Sequence, residues 1–196
     1  QQKAALVTAV ASNEIKLLKK VPKNTCSIYI SIPFCPSRCA YCSFVSYTTP
    51  RLLSMIDEYI DALLSDLDDT FETIKMLGLD IITVYIGGGT PSILEPELLE
   101  VLMSSLAEAL GDRDIEEFTF EAGRPDTITA EKFAIAKAYG VTRVSVNPQS
   151  LCDEVLCGIG RNHSVDDFYR AYELAKGSGI DNINVDLIAG LPGDNF

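Results

Sequence analysis

Ser27-Ile-Tyr-Ile-Ser-Ile-Pro33 runs directly into Phe34-Cys35-Pro-Ser-Arg-Cys39-Ala-Tyr-Cys42. A β-branched and aromatic run reads as a strand, and here it ends in a loop carrying three thiols. Four further runs of the strand kind follow: Ile81–Ile86 (IITVYI), Glu117–Glu121 (EFTFE), Arg143–Val146 (RVSV) and Asn182–Ile188 (NINVDLI). Helix-period stretches separate them. Leu52–Leu77 repeats apolar residues near the i, i+3, i+4 spacing. Pro96–Leu110 opens on a first-turn proline and closes before Gly111. Thr129–Tyr139 starts at a threonine cap and stops at Gly140. Ser164–Lys176 has Ser164 and Asp167 as a capping pair and Gly177 as its stop. Strand and helix alternating in this way predict an α/β fold, a parallel sheet of right-handed βαβ units.

Two closures satisfy that pattern, an open doubly wound sheet and part of a β/α barrel. The residues after each strand separate them. Cys35–Cys39 follows the first, Gly87-Gly-Gly-Thr90 the second and Glu121-Ala-Gly-Arg124 the third. Asn147-Pro-Gln-Ser150 follows the fourth, and Asp186 with Ala189-Gly-Leu-Pro-Gly193 ends the fifth. A doubly wound sheet concentrates its chemistry at one switch point, whereas a barrel draws it from the ends of many strands. A partial (β/α) TIM-type barrel with about five parallel strands is therefore expected. The chain stops in the loop after the fifth strand, which reads as an excerpt from a longer protein.

Composition narrows the function. Acidic residues outnumber basic ones 28 to 16 over 196 residues, a formal charge of −12. A nucleic-acid partner would need a basic footprint, so none is expected. No apolar run approaches the roughly 20 residues of a membrane span, and the start lacks the ordered regions of a signal peptide. The expectation is a soluble, cytoplasmic protein. With His163 as the only histidine, histidine-rich metal sites and two-histidine mechanisms are excluded. His163 itself, beside Ser164, reads as structural.

In a reducing compartment six cysteines point to metal ligation, catalysis or buried small side chains more than to disulfides. Cys35, Cys39 and Cys42 form CxxxCxxC, and three thiolates on a short irregular loop can converge on one soft metal centre. Structural zinc normally takes four protein ligands, and no fourth stands at CxxC or HxxxH spacing. A disulfide would leave one thiol over. The spacing favours an iron–sulfur cluster, with one iron of four left open for another ligand. Cys26, Cys152 and Cys157 read as buried or incidental thiols.

Cys35-Pro-Ser-Arg-Cys39-Ala-Tyr41-Cys42 resembles the CxxxCxΦC signature of radical S-adenosylmethionine (SAM) enzymes, Tyr41 being the aromatic. With Tyr85–Ser92, Phe120–Pro125, Arg143–Ser150, Gly160–His163 and Asp186–Gly193 in order, the sequence is similar to the oxygen-independent coproporphyrinogen III dehydrogenase (oxidase)-like family across about 27–193. The resemblance implies a lead-in over 1–26 and a radical SAM core over 27–196, truncated after the fifth strand. It implies a 4Fe-4S cluster on Cys35, Cys39 and Cys42, with SAM on the open iron. It also implies SAM contacts at Gly88, Gly89, Thr90, Glu121, Gln149, Arg161 and Asp186, with Tyr29 an aromatic near the cluster. The implied substrate is a porphyrinogen or haem-like molecule, and the implied electron donor a flavodoxin or ferredoxin. The expected activity is oxidative decarboxylation of coproporphyrinogen III in haem biosynthesis. The alternatives are a haem-binding chaperone on the same cluster and a zinc or structural-cluster protein without radical chemistry.

Two departures from the family pattern bear on that activity. Phe44 stands where the authentic dehydrogenases carry a further cysteine, and Ser31 replaces a frequent histidine. Members with Phe at that position include haem-binding chaperone-like proteins as well as dehydrogenase-like ones. Finally, Arg38, Arg124 and Arg161 all follow strand ends, and a basic rim around the site mouth is expected of them.

Overall fold

Ile28, Ile30 and Ile32 alternate with Ser27, Tyr29 and Ser31, so the first strand has one apolar and one mixed face. The computed structural model describes residues 2–17 and 22–194. In it the three isoleucines are buried, whereas Tyr29 on the opposite face is 58% exposed. The strands are β1 (Thr25–Ile32), β2 (Asp80–Gly88), β3 (Glu117–Glu121), β4 (Arg143–Ser145) and β5 (Asn182–Asn184). All neighbours pair in parallel, in the order β1-β2-β3-β4-β5. Every crossover thus steps the same way, and the order never reverses as it does in a doubly wound sheet. Sequential winding is that of a β/α barrel, and the chain supplies five of its strands.

The helices are α1 (Gln2–Leu17), α2 (Pro50–Leu53), α3 (Ile56–Leu77), α4 (Pro96–Leu110), α5 (Ala130–Ala138), α6 (Asp153–Gly158) and α7 (Val165–Gly177). Ile60, Leu67 and Ile74 of α3 and Leu99, Leu102 and Leu106 of α4 share one core with Ile86, Phe118, Phe120 and Val144 of the sheet. Burying each such side chain is worth roughly 1.5–3 kcal/mol. That layer holds the strand ends rigid, and the site is built on them. No helix among the described residues is long and apolar enough to cross a membrane.

Several boundaries differ from the sequence reading. The single helix expected over 52–77 is broken at Ser54–Met55: Thr49 caps and Pro50 opens a separate first turn. The apolar repeat runs through that break and so conceals it. Helix α7 runs through Gly177, because the left-handed residue after it is Gly179, at φ +77°. The last strand is Asn182–Asn184 rather than 182–188. Beyond it the chain turns to the loop after β4, where Gln149 N–H donates to the Asp186 carbonyl (3.1 Å) and Ile188 N–H to the Gln149 carbonyl (2.9 Å). Likewise β4 ends at Ser145. No element was expected before residue 27, yet α1 forms there and β1 begins at Thr25.

Candidate cofactor site

The loop after β1 is pinned at both ends by backbone. Tyr47 N–H donates to the Pro33 carbonyl (2.7 Å) and Cys35 N–H to the Tyr47 carbonyl (3.0 Å). Further along, Ala40 N–H donates to the Ile159 carbonyl (2.9 Å) and the Ser37 hydroxyl to the Gly160 carbonyl (2.7 Å). Cys42 N–H closes a tight turn onto the Cys39 carbonyl (3.1 Å). Cys35 and Cys39 are buried, Cys42 partly so. The Thr90 hydroxyl donates to Cys35 Sγ (3.3 Å) and Arg124 Nη1 to Cys39 Sγ (3.7 Å). Burial pushes the Cys35 thiol up, while the Thr90 hydrogen bond and the Arg124 charge pull it back.

The end of β2 shows why the sequence reads Gly87-Gly-Gly89. Gly88 has φ +107°, a conformation open to glycine and costly to other residues. A Cβ on Gly89 would stand 2.6 Å from the Phe34 carbonyl oxygen and 3.0 Å from Cys35 Sγ. The glycines therefore let the β2 end lie flush against the cysteine loop, and leave backbone facing the space beside the thiols.

That space is a cavity of about 190 Å³. Cys35, Cys39, Cys42, Gly88, Gly89, Thr90, Glu121, Gln149, Arg161 and Asp186 all line it, together with Tyr41, Phe44, Gly123, Arg124 and Asn147. Larger grooves on the helical exterior, such as one of about 570 Å³ between Leu53, Ile56 and Leu98, contain no cysteine and no strand end. Strand register explains the gathering. Glu121 pairs with Ser145, and Ser145 with Asn184, so the carboxyl ends of three strands rise to one level. Gln149 adopts φ +71°, an uncommon left-handed conformation for this residue, bracketed by the two backbone bonds to the β5 loop. Such backbone strain is characteristic of functional sites. Arg161, buried behind the cavity wall, donates to the carbonyls of Gly123 (3.1 Å) and Asn147 (2.6 Å) and to the Tyr41 hydroxyl (3.2 Å). Its Nε is buried with no partner among the described residues.

Tyr29 is not brought to this cavity. It lies one row lower on the same sheet face, paired in register with Tyr85, and Tyr85 with Thr119. Its ring stacks on Tyr85 with centroids 5.6 Å apart. Tyr29 still stands close enough to the cavity to feel Glu121: burial, then the charge of that carboxylate, raise its hydroxyl above the usual value. The expected basic rim also fails. Arg124 is 2% and Arg161 8% exposed, and both guanidinium groups turn to internal partners rather than to solvent; Arg38 alone is exposed. Of the incidental cysteines Cys157 is exposed, while Cys26 and Cys152 are half-buried. His163 is buried with neither ring nitrogen partnered among the described residues; burial and the Arg161 charge push it down to about 4. Asn147 and Gly123 were missed. Asn147 is buried, and its Oδ1 accepts from Asp186 N–H (3.2 Å). Its place immediately after the fourth strand was the available signal.

Glu121 carries the largest electrostatic perturbation in the cavity. Burial, then the charge of Asp186, raise it to about 6 from an ordinary 4.5, while Gly88 N–H and the Tyr85 hydroxyl pull it back. Its folded-state value lies above its unfolded one, so the folded chain holds the proton more firmly. Stability is therefore highest below pH about 4.5 and is lost as pH rises through about 6, by about 1–2 kcal/mol. His163 titrates with the opposite sign. The difference between wild type and Glu121→Gln in urea midpoint, followed from about pH 4 to 7 on the cofactor-free protein, isolates the glutamate. The variant is expected to gain stability relative to wild type as pH rises; a constant difference would refute the assignment.

These residues fit a polynuclear cluster with an amino-acid-bearing ligand beside it. Three soft thiol ligands, Cys35, Cys39 and Cys42, line one wall of the cavity. A glycine cradle, two carboxylates and an underused guanidinium complete the wall.

Comparison with known proteins agrees. Residues 29–196 match the radical SAM superfamily. The chain is 41% identical over 173 residues to the oxygen-independent coproporphyrinogen-III oxidase-like protein HemZ of Bacillus subtilis, covering 88% of this chain and 34% of that protein. It is 41% identical over 171 residues to the heme chaperone HemW of the same organism, covering 87% and 44%. The structure of the coproporphyrinogen III oxidase HemN of Escherichia coli superposes with a TM-score of 0.74 at 27% identity, covering 89% and 39%. The chain thus spans less than half the length of these relatives. The cofactors of this fold and family are a 4Fe-4S cluster and SAM. With a five-strand sequentially wound sheet, a three-cysteine loop after β1 and residues 29–196 matched, the chain belongs to the radical SAM superfamily, in its HemN-like family.

Proposed function

We propose that this chain is the cofactor-binding core of a haem-handling protein of the heme chaperone kind rather than of a coproporphyrinogen decarboxylase. Phe44 carries the reading. It lines the cavity beside Cys42, where the decarboxylating relatives are expected to have a further cysteine, and no fourth thiol is among the cavity's lining residues. Arg124 and Arg161 support it. Arg124 is committed to Ser37 and Asp126 and Arg161, facing the cofactor space, keeps only its Nε without an internal partner, which leaves a tetracarboxylate substrate few cations at this mouth. Similarity to proteins named heme chaperone HemW points the same way.

In this proposal Cys35, Cys39 and Cys42 hold the cluster. The Gly88–Gly89 backbone and Thr90 lie along the methionyl part of SAM, where the absence of Cβ atoms permits close approach. Glu121 accepts from its amino group, and Arg161 pairs with its carboxylate. Gln149 and Asp186 take the ribose hydroxyls, the amide donating and accepting, the carboxylate accepting. When bound, the pair supplies reductive cleavage of the sulfonium, with an electron delivered by a donor such as flavodoxin or ferredoxin. Tyr41 and Phe44, both exposed, stand at the mouth of the cavity.

The full chain, reconstituted anaerobically, is incubated separately with haem and with coproporphyrinogen III plus reductant and SAM. A stoichiometric haem complex without protoporphyrinogen is expected. Turnover of coproporphyrinogen to protoporphyrinogen would establish the decarboxylase reading instead.

A further inference from the structure

We infer that Arg124 is a positioning residue that sets the reduction potential of the cluster, by holding a buried guanidinium against the Cys39 sulfur. The inference rests on the cluster being carried by Cys35, Cys39 and Cys42.

The guanidinium is locked on two sides. Asp126 grips one edge, accepting from Nε at 3.1 Å and from Nη2 at 3.2 Å. The other edge faces the cysteine loop: Nη2 donates to the Ser37 hydroxyl (3.1 Å), and Nη1 to the Ser37 carbonyl (3.4 Å) and Cys39 Sγ (3.7 Å). Its backbone is fixed as well. The Arg124 carbonyl accepts from Thr127 N–H (3.0 Å) and the Thr127 hydroxyl (2.8 Å). Buried Lys132 Nζ then clamps the Thr127 and Ser92 carbonyls, joining this turn to the one after the glycine cradle. Five contacts shared among three guanidinium nitrogens require arginine; lysine would keep the charge and lose the geometry.

Reduction adds negative charge to a centre already bearing thiolates. Cluster potentials respond to net charge, hydrogen bonds to the sulfurs and solvent exposure. A guanidinium 2% exposed, in a low dielectric and donating to a ligand sulfur, stabilises the reduced form more than the oxidised. Asp126 offsets part of that charge, so the two residues act with opposite sign. His163, pushed down to about 4 by burial and the neighbouring Arg161, contributes no charge near neutrality.

The test is an equilibrium redox titration of the full chain with titanium(III) citrate, following the reduced cluster by electron paramagnetic resonance after iron and sulfide analysis has confirmed loading. Arg124→Gln is expected to lower the potential so that the reduced-to-oxidised ratio at a fixed potential falls about tenfold, 59 mV for one electron. Asp126→Asn is expected to raise it, and Arg124→Lys to fall between wild type and Arg124→Gln. A purely structural role would reduce loading without this ordered shift. A loaded Arg124→Gln with wild-type potential overturns the inference while leaving the cluster in place. If Arg124→Gln takes up no cluster, Asp126→Asn decides, and an unchanged or lowered potential overturns the inference. A wild-type chain that loads no cluster removes the cofactor assignment itself, a different result read before any titration.

Discussion

Cys39→Ser is expected to yield a folded chain that takes up no stable cluster and cleaves no detectable SAM. Cys39 is the middle thiol of the loop, and its sulfur is buried between the loop backbone and Arg124. A thiolate is a soft ligand suited to iron–sulfur centres, whereas a serine hydroxyl is hard and stays protonated at neutral pH. The backbone bonds that shape the loop, Ala40 to Ile159 and Cys42 to the residue 39 carbonyl, do not pass through the sulfur. Thermal stability of the cofactor-free protein should therefore change little. Iron content and 5′-deoxyadenosine production after anaerobic reconstitution check the first claim, and calorimetry the second. Cys152→Ser and Cys157→Ser, outside the cavity, are the controls. Wild-type SAM cleavage by Cys39→Ser would remove this residue from the ligand set.

Gly89→Ala is expected to lose both stability and cofactor binding. The added methyl would stand 2.6 Å from the Phe34 carbonyl oxygen, 2.9 Å from that of Ile32 and 3.0 Å from Cys35 Sγ. Two of the three contacts are backbone and cannot rotate away, so the cysteine loop itself has to move. Overpacking of this kind typically costs 1–3 kcal/mol, a fall of roughly 2–12 °C in Tm for a chain of this size. Displacing Cys35 also breaks the convergence of the thiols, so cluster loading should fall even where the variant still folds. By contrast Gly177→Ala meets nothing within 4 Å and lies in α7 without a positive φ. It should be neutral or stabilising, because alanine has the better helix propensity. Equal melting temperatures for wild type and Gly89→Ala would contradict the flush packing of β2 on the loop.

Much of the fold was legible because its signals are local. β-branched and aromatic runs marked the five strands, and Ser164 with Asp167 marked the start of α7, where the capping box forms. The break at Ser54–Met55 was not legible, since the apolar repeat continues across it. The early end of β5 was hidden too: whether Val185–Leu187 pairs with β4 or leaves it depends on the Gln149 loop, which is distant in sequence. The same distance governed the arginines. Their position after strand ends was readable, but their burial against Ser37, Asp126 and the Gly123 and Asn147 carbonyls was not.

The amino-acid sequence by itself determined which chemistry this protein carries. Three cysteines at CxxxCxxC, three consecutive glycines and polar residues after every strand are properties of residue type and spacing, and the α/β alternation follows from side-chain periodicity. Only the tertiary structure decided the relative placement of these parts. Parallel register raised Glu121 to the level of the thiols and left Tyr29 one row below. Packing turned two arginines from a solvent rim into buried supports. The reason is physical: a buried guanidinium must find its partners wherever the fold supplies them, and here they come from loops 38 and 87 residues away along the chain.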